Sequence, residues 1–456
     1  MRLRIFAALL PVLAAPVFAA ANPDKLSRFD DLVRQGRDAF LASDLDRAAT
    51  AYNQACPADV VATYPVAKEV TCESLLASVD EARGNLARAE QRYLHAVADA
   101  EQAGPAYRPL YCAKLIDLGE HYHRQGRTQA AESTLLQAVD LARTLAAVNP
   151  ELLPEALLHL GGVYSDSPQP ERGRAPLTEA LAIVTSAAGD RAAEPPATEI
   201  AYAHSRLGMI ELAAGHLREA ESEMRKSVAL ATQALGEDHP VTAAYQTNLA
   251  LTLIVERRFD NAWLVLRRAQ FVVESRQLAA GPELAVICAE MGDVARIEGK
   301  FAQAEDYALQ AISLLNLQPK PDARALAIAQ VTLAGIYLRS HDTAAAEKIL
   351  PEAVEVQRET AANPIMLGAS IQLLGELRAQ QRNWHAAEAL DREAIGIYRR
   401  SESANANAAI APLLRTLADV LKHEGGSKSE VRALESQARD ILRTAPLQFA
   451  QATPHV

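Results

Sequence analysis

Cys112–Ala138 reads CAKLIDLGEHYHRQGRTQAAESTLLQA, and its two apolar stripes decide the fold. Leu115, Leu118, Gly119 and Tyr122 stand at i, i+3, i+4 and i+7, one face of a helix. Gln125-Gly126-Arg127 interrupts that helix, because glycine takes the left-handed conformation of a helix end at little cost. Ala131, Leu135 and Ala138 then form the stripe of a second helix. Small residues at Gly119, Ala131 and Ala138 let the two backbones approach closely. The stretch therefore predicts a helical hairpin with a tight turn.

The pattern repeats along the chain. Ala89, Ala131 and Gly173 are spaced by 42 residues, as are Ala220, Ala262, Ala304 and Ala346; Ala48 and Ala387 join at 41. Seven residues after each comes a second small residue, from Ala55 and Ala96 through Ser227 to Ala353 and Ala394. Gly84, Gly126, Gly215, Gly299 and Gly425 mark the turns. A fixed period of this length predicts stacked units that build one continuous core, an all-α solenoid without a sheet. Composition agrees. Apolar residues make up 49% of the chain but aromatics only 5%, so alanine and leucine carry the load, which favours closely packed helices. A net charge of −11 argues against sequence-independent nucleic-acid binding and against adhesion to an anionic membrane.

Leu118-Gly119-x-x-Tyr122, Gly126, Ala131, Leu135 and Ala138 resemble the tetratricopeptide repeat. The longer period and the segment LGEDHPVTAAYQTNLALTLIVERRFDNAWLVLRRA (Leu235–Ala269) are similar to the kinesin-light-chain type of that repeat. The resemblance covers roughly residues 26 to 440 and implies about ten hairpins in a right-handed superhelix that binds protein.

Residues 1–21 read as a signal peptide. Arg2 and Arg4 precede an apolar run that ends in small residues, with cleavage after Ala19 or Ala21. A retained anchor is the other reading; the run is short for a span and Pro11 and Pro16 interrupt it. The mature protein is then expected outside the cytoplasm, periplasmic or secreted. Residues 22–184 form a first subarray and 199–445 a second with a C-terminal cap. The Pro-rich, charged insertion at 185–198 is the candidate bend between them, and 446–456 the disordered tail. Of four cysteines, Cys56 and Cys72 fall at the end of one hairpin and the start of the next, a plausible bridge in an oxidising compartment. Four free buried thiols are the alternative.

Catalytic motifs are absent from the sequence, and neither a cofactor nor a metal is expected. In Glu120-His121-Tyr122-His123 the two histidines are i, i+2, so they point to different sides of a helix and read as solvated or groove-lining. The informative surface is the helical face opposite each core stripe, which the resemblance places on the inner wall. Family asparagines that bind a peptide backbone leave only Asn248 here; Asp117, His159, Arg206, Glu290, Thr332, Leu373 and Thr416 stand at the equivalent positions. Tyr202, Met209, Leu251 and Val255 make part of this wall apolar, and Glu290, Asp293 and Glu376 make another part acidic. The apolar wall reads either as a peptide or helix contact or as packing within the superhelix. The acidic rows read also as simply solvated. The function expected is a non-enzymatic scaffold that binds a partner peptide or helix in its groove. A rigid spacer subunit of an envelope secretion, pilus or outer-membrane assembly machine is the alternative.

Overall fold

The computed structural model describes residues 23–41, 44–57, 66–167, 169–190, 197–275, 282–317, 321–360, 364–400 and 404–444. The signal peptide and the tail expected from the sequence lie outside them. The described residues hold twenty α-helices and no strand. They pair as α1 (Pro23–Leu41) with α2 (Leu45–Ala55), α3 (Val66–Ala82) with α4 (Leu86–Gln102), and α5 (Arg108–Arg124) with α6 (Thr128–Leu145). Next come α7 (Leu152–Ser165) with α8 (Arg174–Asp190), α9 (Ala197–Ala214) with α10 (Leu217–Leu235), and α11 (Pro240–Val255) with α12 (Phe259–Ser275). The last four pairs are α13 (Pro282–Ile297) with α14 (Phe301–Asn316), α15 (Ala323–Arg339) with α16 (Thr343–Glu359), α17 (Pro364–Gln380) with α18 (Trp384–Arg400), and α19 (Ala404–Glu424) with α20 (Lys428–Thr444).

The chain divides into two compact units. One holds the described residues up to Asp166 together with Arg172–Ala203; the other holds His204 onward together with Ser167–Glu171. Within the 185–198 insertion, α8 continues to Asp190 and α9 opens at Ala197, so its described ends are helical. In each unit a second helix packs between its own first helix and the next, as α6 does between α5 and α7 and α12 between α11 and α13. First helices also touch one another, α3, α5 and α7 in one unit and α11, α13, α15, α17 and α19 in the other. They therefore form one continuous row in each unit.

The recurring small residues sit at the helix crossings. Ala48, Ala89, Ala131, Ala220, Ala262, Ala304, Ala346 and Ala387 are all fully buried. At the same level, several glycines of the first helices, among them Gly119, Gly161, Gly208 and Gly375, abut the residue four places after the small residue of the second helix. A Cβ on Gly119 would stand 2.5 Å from Leu135 Cγ, and one on Gly161 equally close to Leu177 Cγ. No real Cβ contact is so short, so glycine at these points is set by the leucine side chain that packs directly onto its backbone.

The turns explain the glycine signal and extend it. Gly84, Gly126, Gly215, Gly299 and Gly425 all have positive φ, and so do Arg257 (60°), His341 (63°) and Arg382 (60°), which fill the same turn without being glycine. Each turn closes with a bond from the next N–H to a carbonyl five residues back, as Arg127 to Tyr122 at 2.9 Å and Asp342 to Tyr337 at 2.8 Å. Side chains pay for this conformation about 1–2 kcal/mol, against which glycine's extra unfolded freedom offsets part. His341→Gly should therefore stabilise the α15–α16 hairpin by about 0.5–1 kcal/mol. Urea unfolding tests it; a lowered midpoint would refute the strain at this turn.

Candidate partner-binding face

The residues expected on the inner wall lie on the row of first helices, and the structure treats them differently. Tyr202 is a correction: it is only 7% exposed and belongs to the core rather than to an open wall. Its hydroxyl stands where any side chain on Gly162 of α7 would go, so the ring fills the room that glycine leaves. A single-helix wheel cannot show this, because the space belongs to a neighbouring first helix.

In the other unit Arg206, Met209, Asn248, Leu251, Glu290, Asp293 and Glu376 are half-buried, and Val255 is 38% exposed at the end of α11. Met209 packs partly against the core that α11–α14 build. The Asn248 amide donates to Ser205 Oγ at 2.9 Å, so part of its capacity is spent joining α11 to α9. One repeat on, Glu290 takes the place of Asn248 and Asp293 that of Leu251, and α11 and α13 touch. Asp293 is bound by Arg296 at 3.1 Å. Glu290 has no such partner among the described residues; burial, reinforced by Asp293, pushes its carboxyl up to about 8. Glu376, two first helices further along, accepts from Gln380 at 3.2 Å. The structure thus brings an apolar and amide patch on α11 beside a pair of carboxyl groups on α13, and leaves Glu376 apart.

The N-terminal unit holds a charged cluster, of which the sequence pointed to Asp117, Glu120, His121 and His159 but not to Lys114, Glu81 or Glu199. Lys114, 1% exposed, pairs with Asp117 at 2.6 Å. His121, expected as solvated or groove-lining, is fully buried, with Nδ1 2.8 Å from Glu81 Oε1 and its ring against Tyr93. Arg124 bridges Glu81 and Glu120. Burial would raise the Glu81 pKa, but Arg124 and His121 outweigh it and hold the carboxyl below its ordinary value. Nearby, burial and then Asp117 and Glu199 push Glu155 up to about 8, and burial pushes Glu199 up to about 7. Burial lowers the His159 pKa, so its imidazole favours the neutral form. Lys114 and Glu120 find partners on their own helix, but Glu81 reaches His121 and Arg124 from a hairpin some 40 residues away, a contact that a single helix does not show.

Cys56 caps α2, Cys72 lies in α3, and a disulfide joins them with their Cα atoms 5.7 Å apart. Cys112 and Cys288 are free and buried, and burial pushes both thiols up to about 12, which makes them poor nucleophiles. Among the described residues, one trio could reach a single metal ion: His385, Glu388 and Glu424, with ligand atoms within 4.8 Å of one another. Glu388 is already held by Arg392 at 2.8 Å, and His385 is almost fully exposed. Such an arrangement is common on acidic surfaces.

Comparison with known proteins agrees with the geometry. The tetratricopeptide repeat family model matches residues 199–269 and 285–359. No curated protein matches the chain. Among solved structures, a Rap protein complexed with Competence and Sporulation Factor is 13% identical, covers 75% of this chain and 92% of its own, and has a TM-score of 0.53. BtubC from P. vanneervenii is 16% identical over 51% of this chain and 92% of its own, with a TM-score of 0.43. The APC/C hetero-tetramer Cut9–Hcn1 is 13% identical over 94% and 96%, also at 0.43. The likeness to the Rap protein is one of fold.

Proposed function

From an array of helical hairpins whose residues 199–269 and 285–359 match the tetratricopeptide repeat model, we propose that the chain is a non-enzymatic scaffold, acting outside the cytoplasm, that holds a peptide or helix of a partner protein on the first-helix row of its C-terminal unit. The observation that carries this reading is the α11–α13 face: Asn248, Leu251 and Val255 beside Asp293, held by Arg296, and Glu290, whose carboxyl has no ion-pair partner among the described residues. Leu251 and Val255 offer apolar contact, Asn248 Oδ1 an acceptor for a backbone N–H, and the carboxyl pair a seat for a basic side chain. The Rap comparison supports a binding role for the fold, since that protein is seen in complex with Competence and Sporulation Factor.

Glu290 gives the reading a pH signature. With its pKa raised to about 8, the carboxyl is mostly protonated at neutral pH and must ionise to hold a cation. Affinity for a basic peptide should therefore rise as pH passes through 8, and Glu290→Gln should flatten that rise. The probe is a basic peptide selected by display against the full chain and labelled with a fluorophore. Leu251→Ala should weaken it by about 1–2 kcal/mol without unfolding the array. Equal affinity for wild type and a Leu251→Ala, Glu290→Gln double variant would move the binding surface elsewhere.

Export rests on separate support: Arg2, Arg4 and the apolar run through Ala19, together with the Cys56–Cys72 disulfide, a bond that persists in oxidising compartments. N-terminal sequencing of the fractionated protein should find a chain starting at Ala20 or Asn22. An intact Met1 in the membrane fraction would overturn export as a cleaved protein.

A further inference from the structure

The residue directly after the buried alanine is glutamate in six of the eight second helices that carry that alanine: Glu90, Glu132, Glu221, Glu305, Glu347 and Glu388; the first hairpin has Ala49. The structure shows what most of these do. Glu90 accepts from Arg127 at 2.6 Å, Glu132 from Arg172 at 2.5 Å, Glu221 from Arg258 at 2.7 Å, Glu305 from the Tyr337 hydroxyl at 3.2 Å, and Glu347 from Arg378. Each is a tie from one hairpin to the next. In the α11–α12 hairpin this position is Trp263.

The consequence falls on Lys300. Arg127, Arg258 and Lys300 occupy the same place, four residues before the buried alanine. Arg258 lies between two carboxylates, Glu256 of its own turn at 3.0 Å and Glu221 of the preceding hairpin. Lys300 keeps the first kind, Glu298 at 3.0 Å, and has lost the second. Glu298 is also shared with the Trp263 indole N–H, which donates to it at 2.9 Å. Next to this seam Arg267 makes no ion pair with any described residue; its guanidinium lies 5.5 Å from the Trp263 ring centroid. A cleft of about 350 Å³ opens here, lined by Asp260, Trp263, Leu264, Arg267, Lys300 and Gln303.

The same helix is the most apolar of the second helices on its outer face, where α4, α6 and α14 expose Leu94, Leu136 and Leu309 by only 41–44%. Leu264 is 72% exposed and Phe271 58%. Residues equivalent to Leu264 are Gln91, Ser133, Ser222, Asp306, Lys348 and Ala389, and those equivalent to Phe271 include Asp140, Ser313 and Glu355. The other hairpins are an internal control: in them these outer positions are polar or small. At these two positions large apolar side chains appear in α12, beside the seam where glutamate gives way to tryptophan. Exposed apolar residues beside a cleft mark an interaction surface.

We propose that the α12–α14 seam is a second docking surface, distinct from the first-helix row, for a protein segment that carries a large apolar side chain next to a carboxylate. The apolar group enters against Trp263 and Leu264. The carboxylate takes the place of the missing glutamate and meets Lys300 and Arg267. Charge selects this occupant: a basic segment would confront both cations, and of the two carboxylates here Glu298 is already engaged by Lys300 and the Trp263 indole, which leaves Asp260 at the rim.

The test uses the full chain with Trp384→Phe, which leaves Trp263 as the sole tryptophan. The probe is N-acetyl-phenylalanyl-glutamate amide at millimolar concentration, followed by Trp263 fluorescence and by saturation-transfer NMR from the protein to the probe. A saturable response is expected. It should weaken about tenfold or more with the glutamine analogue, and likewise with Leu264→Lys, which installs the residue of the α15–α16 hairpin. Trp263→Glu should abolish probe binding while leaving the thermal midpoint equal or higher, because it restores the tie to Lys300. No saturable response, equal binding of the glutamine analogue, or undiminished binding by Leu264→Lys would each overturn the proposal. So would a concentration-dependent dimer in sedimentation that Leu264→Lys abolishes, since the occupant would then be a second copy of the chain.

Discussion

Asp391→Leu should stabilise the α17–α20 region by roughly 4 kcal/mol at pH 8. Asp391 is 1% exposed, and neither carboxylate oxygen has a hydrogen-bond partner. Burial, and then Glu376, push its pKa from 3.8 up to about 7. Each pKa unit is worth about 1.4 kcal/mol, so the ionised carboxylate costs the fold roughly 4 kcal/mol. Leucine fits: Leu135 and Leu177 hold the equivalent place against Gly119 and Gly161, and Asp391 faces Gly375 in the same way. The pH dependence runs opposite to that of a salt-bridged carboxylate. The folded state keeps the proton that the unfolded chain releases near pH 4, so stability is full below that and falls until pH reaches about 7. Hydrogen exchange in α17–α20 at pH 4 and pH 8 would show it as a difference between wild type and Asp391→Leu that grows with pH. An equal difference at both pH values would mean that Asp391 finds a partner in solution.

Breaking the Cys56–Cys72 bond should cost the first hairpin ~3 kcal/mol. The bond closes a separation of 16 residues, and the chain-entropy estimate for such a loop is of that size. In an array each hairpin leans only on its neighbours, so the loss should stay local. α1 and α2 carry a small core, Ala39, Phe40, Ala48, Ala49 and Tyr52, against Leu75 and Val79 of α3. With a Cys56→Ser, Cys72→Ser variant, proteolysis should begin in α1–α2 while α5 onward stays protected. Unchanged protection of α1–α2 in that variant would show that this core suffices without the bond. Free Cys112 and Cys288 should resist alkylation in the folded protein either way, since both are buried.

The repeat was legible because it rests on local chemistry. A small residue every 42 positions, a glycine at the turn and a 3.6-residue stripe each act within one hairpin, and the structure places those alanines at the crossings. Two further signals were present but went unread. Asp391 stands where the other hairpins have an apolar or aromatic residue, leucine in four of them, and Trp263 where six of them have glutamate. Both emerge only when equivalent positions are compared down the array.

What the tertiary structure alone decided concerns the surface of the first helices. A helical wheel assigns Tyr202 to an open wall and His121 to a solvated or groove-lining place, yet both are buried. The wheel knows one helix; burial at these points depends on the helix next to it, on Gly162 making room and on Glu81 arriving with a charge. Arg257, His341 and Arg382 show the same limit in the backbone. Each adopts the left-handed turn although no glycine announces it, because the hairpin's packing outweighs a local cost of about 1–2 kcal/mol. Sequence by itself determined the period, the hairpin and its crossings, since those follow from residue size and spacing. Which side chains remain available to a partner was decided by contacts between hairpins some 40 residues apart, which no single repeat encodes.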